Sequence, residues 1–382
     1  MQVARALACK FCNYQVPIVG RALGLMAYIL QLLIMAIFMR ALFDRWKPFH
    51  LLLFRFLLPL LMTWAAVPVA AQEALPTVRV GVLKFGTVNW ELDVIEARKL
   101  TKKYGFNLKV VALASGDAST VALQGGAVDV IVSDWIWVSR QRAEGNPYTF
   151  VPYSNAVGSL MVKPESGIRT VADLKGRSVG ISGGPHDKIW LLLRAYASKK
   201  FNLDLASAAR PVFAAPPLLN ELAASGQVDA ALNIWHYDAR LEARGMQALI
   251  RLPEILAGLG IDKPIPMIGW VFREDWAARN PAVLGRFFAA SMEAKSLMAR
   301  SDDEWERLRP LMRAEDAATF VALRNGYRSG IPTCMDDDAT ATVAATYRVL
   351  AEVGGDKLVG KSSSLSNGTF WSGFKWPACA KK

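Results

Sequence analysis

The chain has 382 residues, 53% of them apolar and 20% charged, which is apolar side chain enough for two ordinary cores and excludes a disordered chain. The formal net charge is +12, but residues 1–71 hold seven Lys/Arg against one acid, so the rest carries only +6. That remainder has no basic run interleaved with aromatics, which argues against nucleic acid as a partner.

Residues 1–71 read as a leader. Arg40, Arg45, Lys47 and Arg55 form a basic region, 56–67 is an apolar run, and Val69-Ala70-Ala71 offers small residues for cleavage before Gln72. That run is short for a membrane span. Upstream, residues 22–39 carry no charge and are long enough for a span. Two readings are open: a signal peptide over 39–71 with translation starting at Met39, or an anchor at 22–39. The expected location is the periplasm, with membrane anchoring left open. Cys9 and Cys12 fall in the leader; Cys334 and Cys379 alone remain beyond it and could pair in an oxidising compartment.

The mature part opens with a strand at Thr77–Leu83. A helix is expected over 88–104, with Lys99, Lys102 and Lys103 in its last turn and Gly105 as its stop. A strand at 108–113, a short helix ending at Gly125-Gly126 and a strand at 128–132 follow. Such alternation argues for a parallel sheet covered on both faces. Residues 157–162 look like a strand crossing into a second lobe. There the pattern resumes: a helical turn at 171–178, a strand at 179–181, a helix at 186–201, a strand at 211–214, a helix at 216–224 and a strand at 228–232. Residues 267–272 return in the style of 157–162. The implied lobes are 76–160 plus 270–382, and 161–269. Beyond 272 the chain is mostly helical, with 281–298 and 338–353 the clearest amphipathic stretches.

One arrangement occurs twice. Val80 is followed 48 residues later by Val128-Asp129, and Val179 is followed 49 residues later by Val228-Asp229. Both second elements read Val-Asp, three apolar residues, Ser or Asn, any residue, then Trp135 or Trp235. Two similar α/β halves facing each other would enclose a cleft.

Leu123-Gln124-Gly125-Gly126-Ala127-Val128-Asp129, the stretch 222–235, Arg279-Asn280-Pro281 and above all Thr170-Val171-Ala172-Asp173-Leu174-Lys175-Gly176-Arg177-Ser178-Val179-Gly180 carry a family likeness. With the leader and the opening strand, they make the chain resemble the periplasmic solute-binding proteins of ABC importers. The subgroup is that of nitrate, sulfonate and taurine, which also contains binders of thiamine-pyrimidine precursors. The resemblance covers about residues 76–300. It implies an α/β, two-lobe fold of the type II periplasmic-binding-protein kind, with a hinge and an inter-lobe cleft.

In such sheets ligands bind outside the carboxyl ends of the strands. The turns there hold Phe85, Gly86 and Thr87, with Trp90 just beyond; Ser115 and Gly116; Ser133, Asp134 and Trp135; Ser182, Gly183, Gly184 and His186; and Asn233, Trp235 and His236. Ser115-Gly116 and Ser182-Gly183-Gly184 are the expected anion-holding turns, with plain helix capping by the serines as the alternative. Trp135 and Trp235 are expected to face each other and sandwich a ring; Trp137, Trp190 and Trp270 are expected to pack. Asp134 would take a basic group. His186 and His236, near Asp134, Asp187 and Asp238, lack the spacing of a metal site, so neither metal nor cofactor is expected. Lys84 and Lys188 suit an anion better than a Schiff base. His-Glu-x-x-His is absent, and no catalytic apparatus is expected.

With these features, the resemblance implies a non-enzymatic substrate-binding component of an ABC transporter, monomeric, capturing a small organic solute, anionic or aromatic/heterocyclic. Its partners would be that solute and an inner-membrane permease with its ATPase. The alternatives are an enzyme of thiamine-pyrimidine synthesis on the same fold and a membrane-anchored sensor.

Overall fold

Apolar strands and amphipathic helices alternate through the chain and build two five-stranded sheets. The computed structural model describes residues 74–376 except 183, 262, 264 and 336, together with 33, 35 and 36, which are helical. The chain divides into two units, 1–73 and 74–382. The expected signal peptide, Cys9, Cys12 and Cys379 lie outside the described residues, as does the alternative anchor at 22–39 apart from residues 33, 35 and 36. Among those described, no helix is long and apolar enough to cross a membrane.

The first sheet has the order β2-β1-β3-β10-β4, formed by β1 (Thr77–Leu83), β2 (Asn107–Leu113), β3 (Val130–Asp134), β4 (Tyr148–Ser154) and β10 (Ile268–Arg273). The second has the order β7-β6-β8-β5-β9, from β5 (Ser159–Val162), β6 (Ser178–Ile181), β7 (Arg210–Phe213), β8 (Ala230–Leu232) and β9 (Gln247–Arg251). In each sheet three strands are parallel and the fourth position is antiparallel, taken by a strand that has crossed from the other sheet. The chain leaves the first sheet after β4, enters the second as β5, and returns from β9 as β10. The two sheets therefore share one plan, and the fold is two-lobed.

The repeated Val-Asp has a structural cause. Asp129 accepts from the Arg79 backbone N–H at 2.8 Å and from the Arg79 guanidinium. Asp229 accepts from the Ser178 N–H at 2.7 Å and from the Ser178 hydroxyl at 2.5 Å. Each aspartate satisfies a backbone donor at the amino end of a central strand, remote from the strand ends where a ligand would sit.

Several helices differ from expectation. The stretch 88–104 is two helices, α1 (Val88–Ala97) and α2 (Leu100–Tyr104), because Lys99 adopts a left-handed φ of 55° and breaks the ladder. After α3 (Gly116–Gln124), helix α4 (Trp135–Ala143) begins at the first repeat tryptophan. Asp134, extended, caps it by accepting from the Trp137 N–H at 2.8 Å. The second lobe carries α5 (Lys188–Phe201), α6 (Leu205–Ala208), α7 (Pro216–Ser225), α8 (Trp235–Ala243) and α9 (Leu252–Leu259). Both repeat tryptophans are thus first helical residues rather than turn residues. β4 and β9 were not expected as strands; Pro152 hides β4, and its missing N–H suits the sheet edge where β4 lies.

Beyond β10 come α10 (Glu274–Arg279), α11 (Pro281–Arg300), α12 (Asp302–Met312), α13 (Ala317–Ser329), α14 (Asp337–Gly354) and α15 (Asp356–Val359). α11 and α12 cover α1 on the first lobe. α14 instead packs on α5 of the second, so the C-terminal segment touches both lobes. The tail pairs with the free edge of β4 through Phe150 N–H to Thr369 O at 2.8 Å and Trp371 N–H to Phe150 O at 3.0 Å, which covers that edge. Cys334 is disulfide-bonded.

Candidate ligand-binding cleft

The turn after β1 is tied down by its own chain. Asn89 donates from its amide to Leu83 O and Gly86 O, both at 2.8 Å, and Gly86 N–H donates to Leu83 O at 2.9 Å. This holds Lys84, Phe85 and Thr87 at the start of α1. Thr87 is buried and precedes α1 without a side-chain capping bond. Phe85 remains 64% exposed.

Facing that turn is the second lobe. α7 starts on Pro216-Pro217 and is stitched to α8 by amides: Asn233 donates to Asn220 Oδ1 at 2.9 Å and to Pro216 O at 3.0 Å, and Asn220 donates to Tyr237 O at 3.0 Å. A cavity of about 610 Å³ lies between the two, reached by Phe85, Thr87 and Trp90 from one lobe and Asn220, His236 and Arg240 from the other. The end of α12 closes it with Arg313.

Its charge is mixed with a basic excess: Lys84, Arg240 and Arg313 against Glu221 and Glu315. Arg240 spends two donors on Met312 O at 3.0 Å and Arg313 O at 3.1 Å, bridging the lobes. Arg313 stands 4.5 Å and Lys84 5.4 Å from the Phe85 ring centroid, so two cations approach one exposed aromatic ring. His236 is held neutral at ordinary pH: burial, and then the Arg240 charge, bring its imidazole down to about 4.

Of the residues expected from sequence, Phe85, Gly86, Thr87, Trp90 and His236 are brought to this cavity. Ser115 caps α3 by accepting from Ala118 N–H at 3.1 Å, and Ser115 and Gly116 are exposed. Ser133 and Ser182 are half-buried; Ser182 N–H donates to Leu232 O at 3.1 Å. Gly184 forms a left-handed turn, and His186 is exposed before Asp187, which caps α5. Gly183 lies outside the described residues. Asn233 is buried in its amide stitch. None of these seven described residues reaches the cavity.

Trp135 and Trp235 do not face each other across a gap. Trp135 is 0% exposed, donates its indole N–H to Pro266 O at 2.8 Å and lies 6.2 Å from the Tyr347 ring. As the first residue of α4 it points into the core rather than out of a turn. Trp235 is half-buried and meets Trp90 edge-on at 6.1 Å and Tyr327 at 6.3 Å. Across the lobes Trp235 meets Trp90 and Tyr327, not Trp135. Asp134 is already engaged, accepting from the Lys188 ammonium at 2.8 Å. Sequence reasoning missed Asn220, Arg240 and Arg313, which sit inside helices or at a helix end and carry no motif.

Two strings spell catalytic patterns despite the expectation of none. Gly180-Ile181-Ser182-Gly183-Gly184 fits Gly-x-Ser-x-Gly, but α5 begins only at Lys188, so there is no tight strand-to-helix elbow. Gly355-Asp356-Lys357-Leu358-Val359-Gly360-Lys361-Ser362 fits a phosphate-loop spelling. It follows helix α14 rather than a strand, and its middle is itself helix α15. Among the described residues no three His, Cys, Asp or Glu gather as metal ligands.

Solved structures share this architecture. The periplasmic aliphatic sulphonate-binding protein SsuA of Escherichia coli aligns with TM-score 0.63 at 18% identity, over 80% of this chain and 95% of that one. The alkanesulfonate-binding SsuA of Xanthomonas axonopodis pv. citri, bound to MOPS, aligns with TM-score 0.58 at 19% identity, over 79% and 99%. The ligand-binding component of an ABC-type import system from Staphylococcus aureus, with zinc bound, aligns with TM-score 0.53 at 13% identity, over 77% and 96%. These likenesses concern the fold. No curated protein matches the sequence. Residues 100–304, more than half of the chain, match the family model described as NMT1/THI5 like, and the chain belongs to that family.

Proposed function

We propose that this chain is the solute-binding component of an ABC importer, acting in the periplasm, and that it captures a small organic anion in the cavity between Phe85 and Arg240. The observation that carries the reading is the pairing of Lys84 and Arg313 on one exposed aromatic ring inside a cavity walled by both lobes. Cations supply charge-assisted hydrogen bonds to a sulfonate or carboxylate, and Phe85 with Trp90 supplies apolar surface for its organic part. The sulfonate binders among the structural neighbours favour a sulfonate. The role is binding without chemistry, with a membrane permease and its ATPase as partners; monomeric action suits a carrier that two lobes close around its cargo.

The test is thermal unfolding of the chain from Gln72 onward against alkanesulfonates, taurine, nitrate, pyrimidines and aromatic acids. An organic anion should raise the midpoint, since binding to the native state stabilises it by mass action. The double substitution Lys84→Ala/Arg313→Ala should remove that rise. A rise that survives the double substitution, or none with any anion, overturns the reading.

A further inference from the structure

Helix α12 ends in a strained turn at the cleft cavity. Pro310 stands in its last turn, and the helix then stops on Arg313 with a left-handed φ of 52°. Glycine usually takes that position, because a side chain there crowds the following carbonyl. Three described residues other than glycine adopt such a φ, namely Lys99, Asn202 and Arg313. Of these, Arg313 alone lines the cavity. The bond that closes the turn is long, from Arg313 N–H to Pro310 O at 3.4 Å.

Support for this turn comes from the other lobe. The carbonyls of Met312 and Arg313 lie at the carboxyl end of α12, where a helix cannot supply its own donors. Arg240 of α8 donates from Nη2 to Met312 O at 3.0 Å and from Nη1 to Arg313 O at 3.1 Å. One planar guanidinium thus caps both carbonyls, and its charge suits the negative end of the helix. The Arg313 guanidinium, 4.5 Å from the Phe85 ring centroid, forms no ion pair among the described residues. Arg313 is exposed, so its charge is available to an anion.

We propose that Arg240 is a positioning residue for anion capture: from the second lobe it fixes the turn by which the first lobe presents Arg313 beside Phe85. This role rests on the cleft reading, in which Arg313 helps to hold the anion. Assembly of the anion-holding cation and approach of the lobes are then one event. When the lobes part, Arg240 withdraws, α12 loses its cap and Arg313 is no longer held beside the ring. The grip on the anion therefore weakens as the cleft opens, which favours release. The first lobe alone binds the anion poorly, although it owns Lys84, Phe85 and Arg313.

The test has one arm without ligand and one with it, both on the chain from Gln72 onward. In hydrogen exchange without ligand, the amides of 311–315 should exchange at least tenfold faster in Arg240→Gln than in the unaltered protein, with circular dichroism unchanged. Equal exchange would show that the cap does not order the turn, and the proposal fails whatever the cleft binds. In calorimetry the probes are ethanesulfonate, benzenesulfonate and benzoate. Arg240→Gln and Arg313→Ala should each weaken the bound probe at least tenfold, and the double variant should be no weaker than either alone. Arg240→Lys keeps the charge but not the two-pronged fork, so it should lose affinity nearly as far. An effect of Arg240→Gln that persists on the Arg313→Ala background, or full recovery with lysine, would mean that Arg240 acts directly on the anion or as a distant charge, and overturns the positioning role while the cleft reading stands. If the unaltered protein binds none of the three probes, the cleft reading falls and this role falls with it.

Discussion

Lys188 donates its ammonium to Asp134 Oδ2 at 2.8 Å, and in doing so joins the first residue of α5 in the second lobe to the cap of α4 in the first. Burial alone would lower the lysine, but the facing Asp134 carboxylate, with Asp187 beside it, holds it above its ordinary value. The pair therefore acts as a latch between lobes. Lys188→Met keeps the apolar stem and removes the charge. It should shift the protein toward an open form and weaken the cleft ligand by about tenfold, or ~1.4 kcal/mol. Small-angle scattering without ligand should show a larger radius of gyration. Unchanged scattering and affinity would remove the latch from the account.

The two repeat tryptophans should behave differently on truncation. Trp135 is enclosed in the core, so Trp135→Ala should cost about 3–5 kcal/mol of stability and leave the folded fraction with normal affinity. Trp235 docks on Trp90 and Tyr327 of the other lobe. Trp235→Ala should cost less stability, at about 0.5–1.5 kcal/mol for each lost aromatic contact, and should weaken ligand binding by opening the lobes. Equal affinity losses in the two variants would contradict the different placements.

That contrast marks what could be read before the fold was known. The period of Val80–Val128 and Val179–Val228 announces two like halves, and the apolar returns at 157–162 and 267–272 announce the crossings, because backbone pairing leaves local signatures. Tertiary placement leaves none. Whether the tryptophan after a strand faces a cleft or a core depends on how α4 and α8 are rotated against their sheets, and Arg313 reaches the cavity only because α12 folds back beside α1. The repeated aspartates were visible, but their roles at the amino ends of β1 and β6 required the strand register.

Gly158 permits the crossing. A Cβ there would stand 1.6 Å from the Asn233 carbonyl oxygen, a backbone atom that no rotamer change can move. Gly158→Ala should therefore cost about 1–3 kcal/mol, the usual penalty for overpacking, and should separate β5 from the end of β8. A midpoint of unfolding within error of the parent would show that the hinge backbone relaxes without loss.

Two groups on α8, the half-buried His236 and the buried Asp238, tilt stability in opposite directions with pH. His236 has a folded value of about 4 against an ordinary 6.5, so the unfolded chain binds the extra proton first and stability falls as pH drops through that interval. Asp238 is raised well above 3.8. Its contribution is complete below 3.8 and is lost as pH rises toward its folded value. Asp238→Asn should accordingly raise the unfolding midpoint at pH 7.5 and leave it nearly unchanged at pH 4, while His236→Gln should flatten the decline between pH 6.5 and 4. Denaturant melts across this range separate the two slopes.

Beneath the Trp235 contact lies the buried pair Glu91–Lys295. Ser291 donates to Glu91 Oε1 at 2.5 Å, Tyr327 donates to Oε2 at 3.0 Å, and the ammonium sits 3.6 Å from the Tyr153 ring centroid. Desolvation lowers the lysine in spite of its carboxylate partner. Removing one charge strands the other, so Lys295→Met should cost about 3–5 kcal/mol. The double substitution Glu91→Gln/Lys295→Met should recover part of that loss, because no buried charge is then left unpaired. Tyr327 also touches Trp235, so Lys295→Met should disturb the inter-lobe aromatic contact and appear in ligand affinity as well as in stability. A double variant no more stable than Lys295→Met alone would mean that the two charges are not coupled.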